Sequence, residues 1–284
     1  MQLSNYHSHC LFCDGRDHPE EYVKYAITRG FRAYGFSSHA PMPFPTPWNM
    51  PEGKMDDYLA VIDGLKKKYA GQIEIYVALE IDYLGESCNA AKPYFQELPL
   101  DYRISSIHFV PDEDATELNL DTMTCIDGPY NEFEKGVNEK YNGDIQRFVK
   151  RFFDATLEMI DCGGFDIVGH IDKIYQNGAH YPGFDYNAHW YLDPMDEVLL
   201  RVNEKGLMVE INSKNMQRKR NTFPRIEHFR RLKELNIPVM VNSDAHYPEV
   251  IDSGRQETFD LLQSAGIRTT WELFNGIWTE CPIP

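Results

Sequence analysis

The chain has 284 residues and a formal net charge of -16. With 42% apolar and 13% aromatic residues it can bury a sizeable core, and its length suits one α/β barrel. The excess of Asp and Glu argues against a nucleic-acid-binding face, which demands clustered Lys and Arg, and no apolar run approaches a membrane span.

The opening MQLSNYHSHC has no basic segment followed by an apolar stretch, so neither a leader nor a membrane anchor is expected. Cys10, Cys13, Cys88, Cys125, Cys162 and Cys281 are scattered, which fits free thiols in a reducing cytoplasm. Cys10-x-x-Cys13 has redox or zinc spacing, but no second such pair accompanies it.

Strand-like and helical segments alternate, the pattern of a parallel sheet wrapped by helices. A strand is expected over 3–7, then a helix from Pro19 to Gly30, residue types that favour a start and a stop. A strand follows over 32–38, and a helix over 56–69 with Leu59, Ile62, Leu65 and Tyr69 at helical spacing. The segments 73–81 and 102–110 read as strands, the first rich in β-branched residues. Acidic residues with Asn and Gly then predict a long loop insertion at about 111–143, placed over one face as a lid. Beyond it come a helix over 145–162, a strand over 165–172, a helix from about Pro194 to Lys205 stopped by Gly206, and a strand over 207–212. A helix over 225–236, a strand over 238–244 and a helix around 257–265 complete roughly seven strand-helix units.

His7-x-His9 sets two imidazoles on one face of an extended segment, able to chelate one ion. Asp244-x-His246 repeats that geometry after the last apolar strand. Glu80 ends an otherwise apolar strand, where an unpaired carboxylate would cost several kcal/mol, so it needs a cation or donors nearby. His39, His108 and His170 follow small or apolar runs at strand ends, where barrel enzymes place catalytic groups. Singly each reads as a structural histidine; imidazole and carboxylate recurring at successive strand ends suit a cluster of divalent cations. Asp14, before Gly15, reads by default as a turn residue.

HSHCLFCDG at 7–15, SSHAP at 37–41, LEIDY at 79–83, SSIHF at 105–109, FDIVGHID at 165–172, VEIN at 209–212 and NSDAHYPE at 242–249 span nearly the whole chain. This ordered set resembles the PHP (polymerase and histidinol phosphatase) superfamily, and most of all its monofunctional histidinol-phosphatase branch. The resemblance implies a single domain over 1–284, a distorted (β/α)7 TIM-like barrel with a trinuclear centre at the C-terminal ends of its strands. One metal would take His7, His9, Glu80 and Asp244; a second would share Glu80 and add His108 and His170; a third would take Asp14, His39 and His246. Glu80, Asp244 and His246 are the expected catalytic residues. Mixed imidazole and carboxylate ligation suits Zn²⁺, Mn²⁺ or Fe²⁺ better than Ca²⁺ or Mg²⁺.

Three clustered cations would acidify a bridging water to hydroxide, able to attack phosphorus in line. No nucleophilic side chain is then required, in keeping with the lack of a Gly-rich phosphate cradle. The basic stretch 212–220 offers Lys214 or Arg218 to the phosphate rim, and Asp112, Glu113 and Asp114 could attract an amino group. The expected reaction is hydrolysis of L-histidinol phosphate, a small-molecule phosphomonoester of histidine biosynthesis. Rival readings are a phosphoesterase acting on nucleotides or phosphotyrosine, a metal-dependent amidohydrolase, and a degenerate scaffold that binds a partner protein.

Overall fold

The computed structural model describes residues 3–112, 115 and 118–283. In chain order the first half contains β1 (Leu3–Asn5), α1 (Pro19–Thr28), β2 (Phe31–Phe36), α2 (Met55–Lys68), β3 (Glu74–Asp82), α3 (Pro93–Glu97), β4 (Tyr102–Ser106), β5 (Phe109–Pro111), β6 (Met123–Cys125) and α4 (Tyr130–Lys140). The second half adds α5 (Ile145–Cys162), β7 (Ile167–Val168), α6 (Tyr175–Gly178), α7 (His189–Lys205), β8 (Met208–Asn212), α8 (Met216–Lys219), α9 (Phe229–Glu234), β9 (Val239–Asn242), α10 (Arg255–Ser264), β10 (Thr269–Phe274) and β11 (Ile277–Pro282).

Seven strands pair in parallel in the order β1-β2-β3-β4-β7-β8-β9, a nearly closed barrel wrapped by helices. Two asparagines draw β1 and β9 together at the seam. Asn242 Oδ1 accepts from the Tyr6 N–H at 2.8 Å, and Asn5 Oδ1 accepts from the Ser243 N–H at 2.8 Å. Above them the His9 N–H donates to Ala245 O at 2.8 Å. These bonds carry His7, His9, Asp244 and His246 to the same rim.

The lower interior is filled by Tyr6, Tyr76, Tyr102, Ile104, Ile167, Met208 and Met240, and the antiparallel β10–β11 hairpin closes that end with Leu273 and Trp278. Tyr102 reaches across to the backbone of Tyr6, which requires Gly35: a Cβ there would sit 2.0 Å from the Tyr102 hydroxyl. One end of the barrel is thus plugged by side chains, and the polar site occupies the other.

Several segments depart from expectation. The strand over 102–110 leaves the barrel after Ser106, and Phe109–Pro111 pairs antiparallel with β6 instead. The lid-like 111–143 segment contains that hairpin and α4, whose Phe133, Gly136 and Val137 are buried, with Phe133 packed edge-on against Phe148. Helix α7 starts at His189 with Pro194 inside it, because Tyr191 packs against Phe153 and Phe184 and anchors the first turn. Gly206 ends α7 in the left-handed conformation, as expected. The β10–β11 hairpin lies beyond the expected units.

Candidate metal centre

Glu80 lies near the C-terminal end of β3, 1% exposed, with imidazoles on every side. Its Oε2 faces His7 Nε2 at 3.1 Å, His39 Nδ1 at 3.2 Å and His9 Nε2 at 3.6 Å. Its Oε1 faces His170 Nε2 at 2.9 Å and His108 Nε2 at 3.7 Å, and accepts a hydrogen bond from Ser106 Oγ at 2.7 Å. Asp244 Oδ1 lies 3.2 Å from His9 Nε2, and Asp14 Oδ2 lies 3.2 Å from His246 Nε2. Asp14 also approaches His9 at 3.6 Å and His39 at 3.9 Å. All nine ligand candidates therefore stand at one barrel end.

The local backbone explains several of these placements. Asp244 has φ 48°, the left-handed region that Asp tolerates better than most residues, which turns its carboxylate back over the barrel. Gly15 folds so tightly that a Cβ would lie 2.2 Å from Cys10 N, bringing Asp14 against His9. Gly169 runs against Ser106 Oγ, where a Cβ would be 2.3 Å away; its N–H still donates to Ser105 O, but the His170 N–H donates to Glu210 Oε2 at 3.0 Å, which ends the pairing of β7.

Two carboxylates fix the orientation of the ligands. His7 Nδ1 meets Glu210 Oε1 at 2.6 Å, and His108 Nδ1 meets Asp82 Oδ1 at 2.8 Å. Each takes an Nδ1–H and leaves Nε2 aimed at Glu80, the arrangement that orients metal-binding imidazoles. Burial disfavours charge on His7, but Glu210 and Glu80 outweigh it and raise its pKa well above the ordinary range. Burial is likewise outweighed at His108, where Asp82 and Glu80 push the pKa up to about 10. His9 and His39 are lowered by burial, and neighbouring imidazoles add to it.

This donor set fits cations. Among the described residues, buried His7 Nε2, His9 Nε2, His39 Nδ1 and Glu80 Oε2 lack hydrogen-bond partners, though they face one another across a few ångströms. An imidazole lone pair aimed at a carboxylate is unfavourable unless a cation or proton lies between. Among the described residues, donor atoms within 4.8 Å of one another form three groups: His9, Asp14, His39 and His246; His7, His9 and Glu80; His39, Glu80 and His108. Compared with the expected partition, the structure shares His9 and His39 between groups.

The centre opens into a cavity of about 190 Å³, lined also by Trp48, Asp127, Lys173 and Lys214. Lys214 Nζ lies 3.0 Å from Asp244 Oδ1 and 3.3 Å from His246 Nδ1. Arg218 lines a neighbouring cleft with Gln217 and Tyr247, not this cavity. Asp112 pairs with Lys140 at 3.4 Å and is not part of the cavity lining, while Glu113 and Asp114 lie outside the described residues. Asp127 supplies the acidic wall instead, 3.7 Å from the buried Lys173 ammonium. Its pKa is lowered, burial being outweighed by His108 and Lys173.

Sequence reasoning missed Asp82, Ser106, Asp127, Lys173 and Glu210. Asp82 had a signal, since it shares a strand face with Glu80 two residues earlier. Asp127 had none that set it apart from the other acids of its segment.

The family model described as PHP domain matches residues 5–214. The chain belongs to the PHP family. Among PHP-family relatives, a Bacillus subtilis histidinol-phosphatase is 24% identical over 262 residues, covering 87% of this chain and 94% of the relative. The crystal structure of a candidate histidinol phosphatase from Listeria monocytogenes superposes with a TM-score of 0.78 at 22% identity, covering 90% of this chain and 99% of that one. A Lactococcus lactis histidinol phosphate phosphatase, crystallised with zinc, L-histidinol and phosphate, gives a TM-score of 0.74 at 19% identity, with 98% and 99% coverage. These likenesses establish the PHP barrel, and the His, Glu and Asp groups at its rim are suited to divalent-metal binding. Among the described residues no helix is long and apolar enough to cross a membrane.

Proposed function

We propose that this chain, read as one PHP-type barrel over 1–284, hydrolyses L-histidinol phosphate to L-histidinol and phosphate. The reading takes three divalent ions, zinc, manganese or iron, held by His7, His9, Asp14, His39, Glu80, His108, His170, Asp244 and His246. The observation that carries it is the cavity wall. One chamber joins a carboxylate ringed by imidazoles, two lysine ammonium groups for a phosphoryl group and one carboxylate, Asp127, for an amine. The relatives named histidinol-phosphatase support the same substrate.

Bound divalent ions would supply Lewis acidity and lower the pKa of a coordinated water so that it acts as nucleophile near neutral pH. The residues do the positioning. Glu80 offers one oxygen to His7, His9 and His39 and the other to His108 and His170, so it would serve as a ligand in common with both sets of histidines. Asp244 and His246 hold the opposite rim, where Lys214 is anchored to both and its ammonium offsets charge on the phosphoryl oxygens. Lys173 extends that positive wall toward the leaving group. Asp127, held ionised, faces the substrate ammonium and favours amino-alcohol phosphates over plain esters.

The test is phosphate release from L-histidinol phosphate beside p-nitrophenyl phosphate, a nucleotide monophosphate and a phosphotyrosine peptide, with zinc or manganese present. A kcat/KM for histidinol phosphate at least about a hundredfold above the others supports the substrate. Equal values across the panel would remove it and leave a general phosphoesterase.

A further inference from the structure

Two thiols lie behind the metal centre with no part in the reaction above. Cys10 is fully buried, its Sγ 3.2 Å from Ser38 Oγ. Cys13 is partly exposed, its Sγ 3.6 Å from Nδ1 of His9. The Cys13 N–H donates to Cys10 O at 2.9 Å, so residues 10–13 form one tight turn. The ends of such a turn lie within about 7 Å between Cα atoms, and disulfides span roughly 4.4–6.8 Å.

We propose that Cys10 and Cys13 are a redox-active dithiol whose closure into a disulfide weakens metal binding at His9 and Asp14. With oxidised glutathione as oxidant, the sulfur of the more accessible Cys13 attacks one glutathione sulfur, releasing one reduced glutathione and leaving a mixed disulfide. Cys10 sulfur then attacks Cys13 Sγ, forming the protein disulfide and releasing a second glutathione. Two electrons pass from the protein thiols to glutathione disulfide, and the two thiol protons end on the two glutathione thiols.

The link to the metal site is mechanical. Asp14 follows Cys13 directly, and Gly15 is packed against Cys10 N and the carbonyl carbon of His9 with no room for a Cβ. A turn drawn tighter by a sulfur–sulfur bond has no slack in which to absorb the movement, so Asp14 shifts relative to His39 and His246. The bond also removes Cys13 as a hydrogen-bonding neighbour of His9 Nδ1. Linkage makes the effect mutual: bound metal must resist oxidation by the same factor that oxidation weakens metal binding.

The experiment equilibrates the full chain, with and without saturating zinc, in glutathione buffers of graded ratio. After an acid quench, differential alkylation and peptide mapping follow the segment carrying both cysteines. The expected result is joint loss of Cys10 and Cys13 labelling as an intramolecular disulfide, with the half-oxidation ratio moved about tenfold or more toward oxidising conditions by zinc. In C10S the bridge is absent and Cys13 stops at the glutathione adduct. Independent labelling of the two cysteines in the wild type overturns the dithiol, and a half-oxidation ratio that zinc leaves unchanged overturns its coupling to the metal. Neither readout uses phosphatase activity, so failure here is distinct from failure of the substrate reading.

Discussion

Glu210 is the buried carboxylate on which the ligand geometry turns, and E210Q tests its role. Its Oε1 accepts from His7 Nδ1 at 2.6 Å and Asn242 Nδ2 at 3.1 Å. Its Oε2 accepts from the His170 N–H at 3.0 Å and Asn212 Nδ2 at 3.1 Å. A glutamine keeps one oxygen, so whichever way the amide turns, two buried donors meet an NH₂ group. At ~1–3 kcal/mol for each donor left without an acceptor, the loss of stability is about 2–6 kcal/mol. Loss of the carboxylate behind a ligating histidine weakens metal binding by roughly 10–100-fold. Thermal unfolding, zinc competition against a chromophoric chelator and phosphate release at graded zinc measure these effects separately. E210Q is expected to lower the melting temperature, to need more zinc for half-maximal activity and to recover most of kcat at saturating zinc. An unchanged zinc dissociation constant in a folded E210Q protein would refute the claim that Glu210 orients His7 for metal.

Asp127→Asn removes the acid facing the substrate amine, so KM for L-histidinol phosphate should rise about tenfold or more, from ~1.5–3 kcal/mol for a charged hydrogen bond, while p-nitrophenyl phosphate hydrolysis is unchanged; equal effects on both would exclude amine recognition. Gly35→Ala places a Cβ 2.0 Å from the Tyr102 hydroxyl and should destabilise the fold by about 1–3 kcal/mol or more, with Y102F relieving part of the loss in the double variant. Additive unfolding energies would show that the two sites do not clash. His228 is buried, and desolvation, aided by Arg225, lowers its pKa from 6.5 to about 4. The unfolded chain therefore takes up this proton first, and as pH falls from 6.5 to about 4 the native state loses up to roughly 3 kcal/mol at this residue, with no further loss below. Melting curves of wild type and H228Q should diverge through that window, and parallel curves would contradict the assignment.

The sequence made the barrel legible where strands were long and β-branched, as in β3, or where Gly stopped a helix, as at Gly206. It was less legible where tertiary contacts override local pattern. The strand expected over 165–172 is confined to Ile167–Val168, because the His170 N–H donates to the Glu210 side chain instead of a neighbouring strand. The C-terminal hairpin did carry a local signal: Asn275 and Gly276, with φ 47° and 76°, form the turn that such a dipeptide favours. Within the site, strand-end histidines were readable as a set because a barrel brings strand ends together. Glu210 was not, since its contact with His7 depends on the barrel order that sets β1 and β8 around one interior. Asp127 reaches the cavity only because the β5–β6 hairpin and α4 fold over the rim, and the mixed acidic and Asn-rich composition there hid both elements.

The most direct test of the central claim is chelator-stripped protein titrated with zinc or manganese, following metal bound per chain and phosphate released from L-histidinol phosphate in the same samples. The account predicts negligible activity without metal, a rise that tracks occupancy and saturation near three ions per chain. Full activity in the stripped protein, or bound metal with no phosphate released, would contradict it.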